Sequence, residues 1–155
     1  MDQAQIEWLL EQEYAVIDFL PEQVPADSSG QFFAVERFFL QEPEHSALRR
    51  KFLRILLKLS CYAAVSAYNL TLEQEAEPPS PDLLADWMLS GSSDILLLIP
   101  EEQTLLSARR DETNLTVYHP SARIRTLAAR LAAAEGLFLW APPSQPQPCP
   151  APKSD

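Results

Sequence analysis

Five consecutive aliphatic residues, Ile95-Leu96-Leu97-Leu98-Ile99, stand between Ser92-Ser93-Asp94 and Pro100 with no polar position among them. A run of that length bounded by turn residues reads as a buried strand. No longer run of apolar residues occurs, and five is far below the roughly 18 that a membrane-spanning helix needs. A buried strand needs a core, and the chain can supply one. Its 155 residues fit a single domain, and 46% hydrophobic against 22% charged residues is a globular balance.

The elements around that strand follow from period and punctuation. In 3–13, Ile6, Leu9 and Leu10 recur at helical spacing behind Asp2 as N-cap. Residues 14–20 alternate Ala15, Ile17 and Phe19 against Tyr14, Val16 and Asp18, the pattern of a strand that ends at Pro21. Segment 31–40 suits a helix by its Phe32, Val35 and Phe39 and a strand by its aromatic density. The helix is favoured, with Asp27, Ser28 and Ser29 as possible caps. The clearest helix is 44–62, where Leu48, Phe52, Ile55, Leu56 and Leu59 form one stripe.

Residues 73–81 combine acids with Pro78, Pro79 and Pro81 and read as an exposed loop. Ser80-Pro81-Asp82 then starts a short helix to Leu89 that Gly91 ends. Thr104–Ala108 and Asn114–Tyr118 read as strands joined through the polar turn 109–113. Residues 120–135 form a helix with Ile124, Leu127 and Leu131 inward and Gly136 as cap, and 137–140 a last strand.

These pieces predict an α+β fold: a single domain over 1–140, with an antiparallel or mixed sheet of about four to five strands packed by about four to five helices. Six of the fifteen residues from Ala141 onward are proline, so 141–155 is expected to be a disordered Pro-rich tail. Its Pro143-Ser144-Gln145-Pro146 fits a PxxP pattern that is common by chance.

The stretches Ile17-Asp18-Phe19-Leu20-Pro21, Asn114-Leu115-Thr116-Val117-Tyr118 and Glu135-Gly136-Leu137-Phe138 are similar to small uncharacterised proteins of Gram-positive bacteria, a resemblance spanning most of residues 14–140. It implies a bacterial origin and brings no activity with it.

The charge narrows the partners. With 22 acidic and 12 basic residues the formal net charge is -10, which repels the phosphate backbone and anionic lipid, so neither nucleic acid nor membrane is an expected partner. Residues 1–13 lack the basic start and apolar run of a secretion signal. Cys61 and Cys149 make no disulfide framework, and together these point to a cytoplasmic location. Gly30, Gly91 and Gly136 stand too far apart for a phosphate-cradling or dinucleotide fingerprint. Neither His45 nor His119 has a second ligand at metal spacing, so no metal or cofactor is expected.

Two function classes remain. Five of the twelve basic residues, Arg49, Arg50, Lys51, Arg54 and Lys58, lie on one helix, and Arg50, Arg54 and Lys58 stack at intervals of four as a candidate binding stripe. Compact acidic character without a catalytic motif favours a cytosolic non-catalytic protein-binding or accessory domain of immunity, inhibitor or adaptor type. The alternative is a small hydrolase or transferase. Its site would be assembled around His119 at a strand-to-helix junction, Asp18 or Asp111, or Cys61, although the neighbours of Cys61 suggest a buried inert thiol. Asp18, set between Ile17 and Phe19, is the acid most expected to be buried.

Overall fold

A computed structural model describes residues 2–28, 30–90 and 93–143. In chain order the elements are α1 (Gln3–Leu10), β1 (Tyr14–Asp18), α2 (Gln31–Phe39), α3 (Glu44–Leu59), β2 (Ser66–Asn69), β3 (Gln74–Ala76), α4 (Pro81–Leu89), β4 (Ile95–Ile99), β5 (Thr104–Ala108), β6 (Asn114–Tyr118), α5 (Ala122–Ala134) and β7 (Phe138–Trp140). The strands form one antiparallel sheet in the order β3-β2-β4-β5-β6-β1-β7.

The fold is α+β, with five α-helices and seven strands among the described residues, which corrects the expected four to five strands. The added pair is β2 and β3. Segment 66–69, Ser-Ala-Tyr-Asn, lacks the β-branched residues that advertise a strand, and it is buried because β3 and β4 flank it. β3 is an edge strand, and its exposed Gln74 and Glu75 are the polar cover that a sheet edge needs, so in sequence it reads as a loop.

β4 explains the architecture. On one face Ile95, Leu97 and Ile99 meet Phe52, Ile55, Leu56 and Leu59 of α3, Leu84 and Trp87 of α4, and Ile124 and Ala128 of α5. On the other, Leu96 and Leu98 meet Ile6 and Leu9 of α1, with Tyr68 and Leu105. All five β4 side chains are at most 4% exposed, and each contributes roughly 2 kcal/mol of gross burial. Only a strand with layers on both faces can be apolar at every position.

Local chemistry sets the helix ends. Asp2, Ser80 and Ser121 each accept from a backbone N–H of the helix that they start. At the end of α5, Gly136 takes φ 74°, its N–H donates to Ala133 O, and the Leu137 N–H donates to Ala132 O. This is the paired closure that a left-handed glycine permits, and it turns the chain directly into β7. The Gly30 N-cap of α2 makes no side-chain cap bond. Ser29 and Gly91, expected as cap and helix stop, lie outside the described residues, as do the PxxP match beyond Pro143 and Cys149.

Candidate protein-docking surface

α2 is the one α-helix among the described residues with no buried residue. Its half-buried positions Phe32, Val35, Glu36 and Phe39 face the body of the protein, as their spacing predicts. The Phe39 ring lies 4.5 Å from that of Phe19, which follows β1. The outward arc carries Phe33, Ala34, Arg37 and Phe38. Phe33 is 64% and Phe38 56% exposed, and five helical residues put them about 140° apart, at the two borders of that arc. A phenylalanine in full contact contributes roughly 1.5–3 kcal/mol of burial that both of these largely forgo. Exposed aromatic pairs of this kind are what protein interfaces are built around.

Carboxylates flank the helix. Glu36 acts electrostatically on both Asp18 and Glu112. Asp18 is 6% exposed and its Oδ1 accepts from the Phe19 N–H at 2.8 Å. Burial raises its carboxyl above the usual range, against the lowering effect of the Leu20 and Phe19 amides. The Trp140 indole lies beside this carboxyl and lowers it further, yet its buried N–H makes no full hydrogen bond among the described residues. Asp18 therefore has backbone partners and not the arginine that a buried acid usually recruits. Burial also raises Glu112, Arg109 pulls it back, and Asp111, Asp94 and Glu36 push it up again. Two strand ends and a loop thus bring several acids beside α2, a field that favours a basic partner.

The basic stripe has another role. Arg54 grips Glu135 in a fork, Nε to Oε1 at 2.9 Å and Nη2 to Oε2 at 2.7 Å, and Lys58 Nζ stands 3.6 Å from Oε1. Arg54 holds the Glu135 carboxyl below the usual carboxylate range. Arg54 and Lys58 therefore tie α3 to the end of α5, and only Arg50 of the three is exposed with no ion pair among the described residues. Their neighbour Arg49 is 2% exposed and donates to Met88 O at 3.1 Å and Ser93 O at 2.7 Å. The interval of four marks one helix face, and Glu135 engages two of its three cations.

Two of the groups considered for catalysis, His119 and Asp18, are not brought together. His119 follows β6 and Asp18 ends β1, and the register pairs Tyr14 with Tyr118 but Asp18 with Asn114, so the two lie at opposite ends of one ladder, roughly 16 Å apart along it. His119 is a corner residue with φ 54° whose Nδ1 lies 2.8 Å from Gln103 O, whose N–H donates to Glu13 O and whose ring packs edge-on to Trp8. A carbonyl can only accept, so Nδ1 carries the proton. Asp111 is exposed in the β5–β6 loop. Cys61 is also exposed, which corrects the expected buried thiol: α3 ends at Leu59, and the turn after it carries Cys61 out of the apolar stripe. His45, in the first turn of α3, has a side chain only 12% exposed.

Among the described residues no group of three or more His, Cys, Asp or Glu could hold a metal ion, and no helix is long and apolar enough to cross a membrane. No family model, curated protein or solved structure matches the chain.

Proposed function

We propose that this chain is a non-catalytic, cytoplasmic protein-binding domain of accessory type, an adaptor, inhibitor or immunity protein, that docks a basic partner on α2. The exposure of Phe33 and Phe38 on a helix with no buried residue carries the reading. The neighbouring Glu36, Asp111 and Glu112, with the net charge of -10, supply the electrostatic preference for a basic surface. The separation of His119 from Asp18, with Asp111 and Cys61 each exposed, favours recognition over the hydrolase or transferase alternative.

The test is capture from the native cell at low salt with the wild type and with Phe33→Ser/Phe38→Ser. The wild type is expected to retain a basic protein that raised salt weakens, and the double variant to lose it while melting at an unchanged temperature. Retention by both proteins would move the interface elsewhere. Recovery of the wild type only as a free chain would remove the reading.

A further inference from the structure

α1 covers only part of the second sheet face, over β2, β4 and β5. Beyond it the same face continues across β6, β1 and β7 as an open groove of about 770 Å³. Register places Val16 beside Thr116 on one side and Trp140 on the other, with Tyr14 beside Tyr118, so these side chains form one floor. The two tyrosine rings stand 5.9 Å apart at 51°. Glu11 and Glu112 line the groove, and among the described residues no Lys, Arg or His does. Glu112 and Tyr118 line it together, and after burial the Glu112 charge is the main influence raising the Tyr118 hydroxyl. Gln12, 3% exposed, lines the groove as well. Its Nε2 donates to Trp8 O at 3.0 Å, and its buried Oε1 has no donor among the described residues.

Aromatic faces, carboxylates and an acceptor without a donor specify a cation that is flat and rich in N–H groups. From this we infer that the groove takes the arginine side chain of an extended peptide segment belonging to a partner protein. A guanidinium stacks on tyrosine and tryptophan faces and forks onto a carboxylate, whereas a lysine ammonium is a strongly hydrated point charge that does neither as well. An anion or a phospholipid headgroup meets two carboxylates here and, among the described residues, no base. The volume exceeds what one guanidinium fills, and Gln23, Asn114 and Thr116 line the remainder with the amide and hydroxyl groups that suit peptide N–H and C=O. This site is separate from the outward arc of α2, and a short peptide tests it without the larger partner.

The experiment is titration of the ¹⁵N-labelled full chain with Ac-Gly-Arg-Gly-NH₂, Ac-Gly-Lys-Gly-NH₂ and Ac-Gly-Gln-Gly-NH₂, following the three indole signals and the amides of Thr116 and Tyr118. The arginine peptide is expected to shift Trp140, Thr116 and Tyr118 saturably, the lysine peptide more weakly and the glutamine peptide not at all. Glu112→Gln, with an otherwise unchanged spectrum, is expected to weaken the arginine peptide about tenfold. The inference is overturned by equal response to arginine and glutamine peptides, by shifts scattered over other acidic surfaces with Trp140 silent, or by no saturation at about 10 mM, where even a ~1 mM site fills. Unchanged affinity in Glu112→Gln overturns it too. Loss of α2 docking leaves all these outcomes untouched.

Discussion

Replacing Arg49 tests whether a buried cation joins the two halves of the core. Its guanidinium links α3 to Met88 O near the end of α4 and to Ser93 O before β4, while Ala108 O, at 3.5 Å from Nη1, lies at the limit of a hydrogen bond. Burial lowers its pKa and the nearby Asp94 partly restores it, and the group stays charged. Two charge-assisted bonds of about 1.5–3 kcal/mol each put the gross loss at roughly 3–6 kcal/mol. Relief from burying a charge returns part of that, but the carbonyls left behind each need a donor, so Arg49→Met should cost about 2–4 kcal/mol net. For a chain of this size that is a fall in Tm of roughly 4–16 °C. Urea unfolding followed by tryptophan fluorescence reads it as a lower midpoint at an unchanged slope. The exposed neighbour provides the control: Arg50→Met should stay within about 0.5 kcal/mol of wild type. If both variants unfold at the same midpoint, or Arg49→Met matches wild type, the reasoning from burial is wrong.

Glu135→Gln should remove at most about 1 kcal/mol at neutral pH, because Arg54 is partly in water. The Glu135 carboxyl is depressed in the folded state, so its stabilisation is present above the ordinary carboxyl range and lost as pH falls through the lowered folded value. Urea midpoints should therefore show a shallower acid limb in the variant, and equal limbs would refute the pairing. Asp18 carries the opposite sign. Its folded pKa is raised, so stability falls as pH rises from the ordinary carboxyl range through the raised value, and Asp18→Asn should be the more stable protein at pH 7 with the advantage vanishing in acid. A less stable Asp18→Asn at pH 7 would show that the Phe19 and Leu20 amides outweigh burial.

Much of the scaffold was legible in the sequence because its strongest signals are local. The bounds of β4, β5 and β6 and the Ser80-Pro81 helix start coincide with those read from run length and turn chemistry. β2 and β3 were hidden, since a small polar strand is recognisable only by the neighbours that pair with it. The same limit applies to the candidate site. Sequence puts Arg49 on one helix with Arg50, Arg54 and Lys58, but which of them is buried, paired or free depends on α4, the loop before β4 and Glu135. The inward face of α2 was readable from Phe32, Val35 and Phe39, yet the exposure of Phe33 and Phe38 is a property of what fails to pack on them. The groove also lies beyond one-dimensional reading, because it joins residues from the first twenty positions to Glu112 and Trp140.

Docking on α2 is tested most directly by placing a photoreactive phenylalanine analogue at position 33 or 38 and irradiating the protein in its native cell. As the comparison, Tyr62, 57% exposed beyond the end of α3, receives the same group. A covalent adduct with one basic protein from positions 33 and 38, and none from 62, is the expected result. Adducts of equal yield from all three positions, or none from 33 and 38, would contradict the docking surface.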